Sequence, residues 1–266
     1  MRKSRSRRVL TESLECRTLL SATPAATMTG PDYPSAIWMP AGSGDYGTPP
    51  SYPSSDPHWI VIHTTESTAS STISEFTTPN NQVSANYLVT ETGTVYQFVA
   101  DSYVAWDTGN RAYNIDSIGI ENERYGNGSA KYPSDAEYAA DAQLVVWLAN
   151  QYNLPLAHFA GQFSYSDPNR VAPADPTSRV DQTGVTEDAA IIGHYQVPDP
   201  NNPTLGGGAN HHTDPVNWDW NYFMSLVEAD NAPKTPTNST PSDNSAISTT
   251  TPTWTATTCC NTCVDP

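Results

Sequence analysis

The chain has 266 residues, 37% of them hydrophobic, with 23 prolines and a net charge of −16. That length can bury one sizeable core, while the modest apolar content and abundant proline predict segments that stay outside it. An acidic body has little with which to neutralise phosphates, which argues against a nucleic-acid partner, and no apolar run of about 18 residues exists, so no transmembrane helix is expected. The cysteines, Cys16, Cys259, Cys260 and Cys263, lie outside the apparent body, so disulfides are not expected to staple it. The C-C-x-x-C cluster lacks a fourth ligand nearby, which makes a zinc knuckle a weak reading.

Residues 1–26 carry six Lys/Arg against Glu12 and Glu15, so the acidity sits in the remainder of the chain. This opening is a poor secretory signal, because Glu12, Glu15 and Arg17 interrupt its apolar middle. It resembles a short export segment of some bacterial extracellular proteins, a basic run followed by E-x-L-E-x-R-x-L-L-S. That resemblance implies export to the cell envelope or beyond. Residues 27–57, rich in Pro, Ser, Gly and Tyr, read as an irregular lead-in draped over the domain.

A body of alternating elements follows. HWIVIH (58–63) is short, apolar and β-branched, and predicts a buried strand. STASSTISEF (67–76) predicts a helix. VSANYLVTETGTVYQFV (83–99) predicts two strands around a turn at Glu91–Gly93. SIGIENE (117–123) predicts another strand. Ser134–Asn150 predicts a helix capped by Ser134 with Glu137 closing a capping box, and with Ala142, Val145, Leu148 and Ala149 on one face. LAHFAG (156–161) and AAIIGH (189–194) predict further strands, and the long polar stretch 162–188 an insertion near the site. WDWNYFMSLVEAD (218–230) predicts a closing helix with Trp220, Phe223, Met224 and Val227 at helical spacing. The remaining Thr/Ser/Pro-rich stretch, 231–258, cannot bury enough apolar surface to fold, and reads as linker or tail. Mixed strands and helices on one body predict an α/β or α+β layered domain.

The chemistry concentrates at strand ends. His63 follows Ile60-Val61-Ile62, and His194 follows Ile191-Ile192-Gly193. If those strands are neighbours, both imidazoles emerge at one rim. Asp214 follows a Gly-rich loop, Gly206–Gly208, long enough to swing back there, with Pro215 fixing the turn. Two histidines, one carboxylate and an open position are the donor set of a catalytic zinc site. A hydrolase of that kind also needs a base, for which Glu121 on SIGIENE is the first candidate and Glu123, on the same strand face, the second.

Read in order, WIVIHTTES, QVSANYLVTETGTVYQFVADSYVAWDTGN, YNIDSIGIENE, IIGHYQVP and HTDPVNWDW resemble successive blocks of the zinc-dependent N-acetylmuramoyl-L-alanine amidases of the type-2 amidase family. That family shares its fold with peptidoglycan recognition proteins and T7-type phage lysozyme. The resemblance spans roughly residues 58–230. It implies a single α/β catalytic domain there, a central mixed β-sheet flanked by helices, with 231–266 as a tail. It implies Zn²⁺ held by His63, His194 and Asp214, with Glu121 as the catalytic acid/base. His212, two places before Asp214, falls where a basic residue helps polarise the scissile carbonyl, and His211 is left as a bystander. The implied reaction cleaves the amide between N-acetylmuramic acid and the L-alanine of the stem peptide in peptidoglycan, and the enzyme is expected to act as a monomer. Asn86, Tyr87 and Trp106 fall in blocks expected to contact substrate, although Trp106 equally suits a core position. Two positions depart from the family pattern: Asp107 stands for His in A-W-H-A-G, and Asn86 stands for His in S-A-H-Y. The rival reading is a peptidoglycan-binding module without activity, and the complete His63/His194/Asp214 set favours the enzyme.

Overall fold

Every residue of Trp59–Thr64 is buried, and this strand, β2, is the hub of the architecture. The computed structural model describes residues 28–48, 57–124, 133–159, 188–206, 214–215 and 217–233. The chain divides into a large unit, Met1–Ala232, and a small one, Pro233–Pro266. All of the described strands and helices belong to the large unit. His211, His212, the insertion 162–187 and the cysteines lie outside the described residues.

A six-stranded mixed sheet carries the fold. Its strands are β1 (Ile37–Trp38), β2, β3 (Tyr87–Val89), β4 (Val95–Gln97), β5 (Ser117–Asn122) and β6 (Ile191–Gly193), in the spatial order β1-β4-β3-β5-β2-β6. Within this sheet only β3 and β4 pair antiparallel; β2 lies parallel to both β5 and β6. The β3–β4 hairpin turns where expected, with Gly93 at φ +78° and its N–H donating to the Thr90 carbonyl. A positive φ there suits glycine, which has no Cβ to clash. A separate ribbon, β7 (Pro198–Asp199) with β8 (Asn202–Gly206), follows β6.

Strand periodicity sorts side chains onto two faces. Ile60 and Ile62 of β2, Ile118 and Ile120 of β5, and Ile191 of β6 join one cluster with Leu144, Val145, Leu148, Phe223 and Val227. Those last five come from α3 (Asp135–Tyr152) and α4 (Trp220–Asn231), which cover that face. Trp59, Val61 and Ile192 point the other way, into a cluster with Tyr113 and Phe159. Each fully buried Ile contributes about 1.5–3 kcal/mol relative to exposure, so the pattern strongly fixes register.

The helix α3 forms where its sequence signals place it. Ser134 accepts from Glu137 N–H at 3.0 Å, and the Glu137 carboxylate returns to the Ser134 N–H at 3.3 Å. Its expected face, Ala142, Val145, Leu148 and Ala149, is buried. The helix ends at Asn153, in the left-handed region at φ 52°. The first helix, α1 (Ala69–Thr77), is capped by Thr68.

Two expectations need revision, and one element was not expected. The segment 156–161 forms only a bridge, His158 to Ile191, within its described part. The Trp220 ring stacks on His158 with centroids 3.7 Å apart, which shapes this segment by side-chain packing instead of strand pairing. The lead-in is not wholly irregular, since β1 pairs with β4 and Asp32 ties to Gln97. A short helix, α2 (Arg111–Asp116), also precedes β5; Asn110 caps it by accepting from Ala112 N–H. Its six residues are too few for an amphipathic period to be read from sequence.

Candidate metal centre and active site

The register carries the site. Val61 pairs with Gly119 and His63 with Glu121, and Ile62 pairs with Gly193 on the other side. His63, Glu121 and His194 therefore emerge side by side at the C-terminal ends of three parallel strands. They leave on the face opposite α3 and α4, because each shares the parity of Val61, Gly119 and Ile192. The C-terminal rim of parallel strands is where α/β sheets commonly place ligands. The strand β6 stops at Gly193, and His194 opens a 3-10 turn to Gln196. Gln196 sets that turn: its Oε1 accepts from Gly193 N–H at 2.8 Å, and its Nε2 donates to the Phe159 carbonyl.

Asp214 completes the group from far along the chain. Its Oδ2 accepts from Thr64 N–H at 3.1 Å, and its carbonyl accepts from Tyr195 N–H. Its Oδ1 lies 3.0 Å from His194 Nδ1 and its Oδ2 lies 3.5 Å from His63 Nδ1. The two imidazole centroids are 4.2 Å apart. One ligand atom from each of His63, His194 and Asp214 lies within 4.8 Å of the other two. Both histidines are buried. Two imidazole nitrogens and a carboxylate oxygen converging in this way fit a zinc ion by donor type and number.

Electrostatics match that use. Burial, then the charge of His194, lowers the His63 pKa despite Asp214 and Asp107, which keeps the imidazole neutral and able to ligate. Burial pushes Asp214 upward, but the charges and hydrogen bonds of His194 and His63 outweigh it and hold Asp214 well below its ordinary range. Burial raises Glu121 well above the usual carboxylate range, with Asp214 and Asp107 adding to the rise. Its Oε2 is shielded and has no hydrogen-bond partner among the described residues. A carboxylate so placed is free to take and return a proton. Glu123 is otherwise engaged: its Oε1 accepts from Ala69 N–H at the start of α1, and its Oε2 from Glu91 N–H. That bridge leaves Glu121 as the acid of this strand.

The substrate-contact residues divide. Trp106 is partly exposed, and its backbone N–H donates to Ser84 Oγ. Asn86 and Tyr87, expected to contact substrate, are both fully buried. Being adjacent on an extended chain, they face opposite ways. Tyr87 points beneath α3, where its hydroxyl donates to Asp101 Oδ1 at 2.7 Å. Asn86 Oδ1 accepts from Gly119 N–H at 3.0 Å, between two strands.

Asp107 belongs to the site, which its motif position did not signal. Its side chain is 2% exposed, and Oδ2 lies 3.8 Å from His63 Nε2. Room for it comes from Gly119, where any Cβ would overlap Asp107 Oδ2. Asn86 and Asp107, the two departures from the family pattern, thus meet at Gly119.

The family model described as N-acetylmuramoyl-L-alanine amidase matches residues 53–217. N-acetylmuramoyl-L-alanine amidase A of Achromobacter lyticus is 37% identical over 93 residues, which is 35% of this chain and 49% of that protein. The chain therefore spans about half the length of that curated relative. Among solved structures, AmpD, determined as its selenomethionine derivative, is 22% identical with a TM-score of 0.47, covering 73% of this chain and 95% of its own. The Staphylococcus aureus hydrolase AmiA, solved in complex with its ligand, is 16% identical with a TM-score of 0.47, covering 77% and 85%.

Proposed function

Since the chain belongs to the N-acetylmuramoyl-L-alanine amidase family, we propose that it hydrolyses the amide between the lactyl group of N-acetylmuramic acid and the L-alanine of the peptidoglycan stem peptide, with zinc as cofactor. The observation that carries this reading is the convergence of His63, His194 and Asp214 beside Glu121 on adjacent parallel strands. His63, His194 and Asp214 would hold the metal. The chemistry zinc supplies when bound is Lewis-acid polarisation of a carbonyl and acidification of water. Glu121 accepts the proton of the attacking water at its enclosed carboxylate. It then returns that proton to the departing amine of L-alanine, the acid/base sequence for which burial suits it. We assign His212 to donate a hydrogen bond to the developing oxyanion. Export to the envelope, suggested by the basic N-terminal segment, would place the enzyme where this substrate is found.

Digestion of purified peptidoglycan with mass analysis of the soluble products tests the proposal. Free stem peptides with an N-terminal L-alanine are expected, and their release is lost with a chelator and in Glu121→Ala. Cleavage of the sugar chain instead, or no release by a zinc-loaded protein that still binds the wall, would overturn it.

A further inference from the structure

His63 stands between two carboxylates. Its Nδ1 faces Asp214 Oδ2 at 3.5 Å, and its Nε2 faces Asp107 Oδ2 at 3.8 Å. Nδ1 is thus on the side of the three-ligand group and Nε2 is on the far side. A neutral imidazole that ligates through one nitrogen carries its proton on the other. At His63 that proton falls on Nε2, a buried atom with no hydrogen-bond partner among the described residues. Both oxygens of Asp107 are buried and make no hydrogen bond of good geometry there, although its own N–H and that of Thr108 lie close enough to lower its pKa. Two unsatisfied buried polar groups facing each other are costly apart and complementary together. The gap exceeds hydrogen-bond length by less than about 1 Å, which a small side-chain rotation closes.

We propose that Asp107 is a positioning residue for the metal: its carboxylate accepts the His63 Nε2–H, fixing the ring's tautomer and orientation so that Nδ1 is presented as ligand. Gly119 is then selected by this contact, because a side chain there would occupy the place of Asp107 Oδ2. Asn86 holds the same glycine through its N–H, which keeps β5 at the right depth beneath the carboxylate. An outer carboxylate raises the basicity of the ligating nitrogen, and its loss commonly weakens metal binding about 10–100-fold. The inference rests on the assignment of His63, His194 and Asp214 as zinc ligands, and the test separates the two.

The test measures the zinc Kd by chelator competition, and observes the His63 imidazole by ¹⁵N and ¹H NMR in the zinc-loaded protein, for wild type, Asp107→Leu and Asp107→Asn. The expected wild-type signature is a slowly exchanging, downfield Nε2–H. In Asp107→Leu, which removes the acceptor at similar size, that proton exchanges fast and zinc binds about 10–100-fold more weakly. Asp107→Asn, which retains a neutral acceptor, recovers the protected proton and part of the affinity. If Asp107→Leu does not fold, Asp107→Asn decides through its zinc Kd, which is expected to rise while the proton stays protected. An unchanged Kd and unchanged proton in the folded variants would overturn the role of Asp107. A wild type that binds no zinc would instead overturn the metal assignment itself.

Discussion

Glu121 and Gly119 lie two positions apart on one strand face, and one change at each separates chemistry from architecture. Glu121→Gln removes the proton acceptor at nearly constant shape. Stem-peptide release should fall by about 10²–10⁴-fold while zinc content stays the same. Equal loss of zinc and activity would instead make Glu121 a structural group. Gly119→Ala puts a methyl where Asp107 Oδ2 sits. Overpacking of this kind costs about 1–3 kcal/mol, read from the denaturation midpoint of the metal-free protein, and zinc affinity should fall with it. At this scale the sequence was unevenly informative. His63 and His194 were legible because each follows a three-residue run of a buried strand, and parity then aims both at one rim. Asp214 was legible through its turn. That Tyr87 and its motif neighbour Asn86 are both buried and face opposite ways is a distinction that only strand register supplies. Asp107 was invisible, since nothing in A-W-D-T-G says that it meets a glycine on another strand.

At the level of elements, the signals that read well are those written locally. Ser134 and Glu137 reproduce their capping box in α3, and the four expected face residues are buried. Ser134→Ala should cost about 0.5–2 kcal/mol, a fall of roughly 2–4 °C in Tm for each kcal/mol at this size. The variant should still bind zinc, because α3 packs on the face away from the site. The strands β2, β5 and β6 were each legible from β-branched runs, but their order was not. Parallel neighbours are chosen by long-range packing, so the adjacency of His63 to Glu121 could be expected only conditionally. The strands β1 and β7 have two residues each and α2 less than two turns, too few to show a period, and none carries the β-branched run that marks β2, β5 and β6.

For the molecule as a whole, an acidic chain has folded several carboxylates inside. Burial raises Asp141 to about 7 and Glu137 to about 8. Asn122 Nδ2 donates to Asp141 Oδ2 at 3.0 Å and moderates its rise. These groups hold protons in the folded state that the unfolded chain releases near pH ~4. Their contribution is therefore fully present below about pH 4 and is lost as pH rises through about 7 to 8. The lowered pKa of His63 acts in the opposite sense, adding stability as pH climbs through the ordinary histidine range. Subtracting one variant from wild type isolates the first effect. In Asp141→Asn, the fall in denaturant midpoint between about pH 5 and pH 8 should be shallower than in wild type. An identical slope would mean that Asp141 ionises normally in the folded protein.

Thr64 and Asp214, 150 positions apart, share a hydrogen bond at the heart of the site. Helix α3 can form from neighbours in the chain, whereas this bond waits for parallel strands that no hairpin can join. Refolding should thus proceed in a fixed order. Far-UV ellipticity from α3 recovers early, and the capacity to take up zinc returns only with the slowest phase. A newly made chain would pass through an interval in which it is helical and partly collapsed while His63, His194 and Asp214 are still apart.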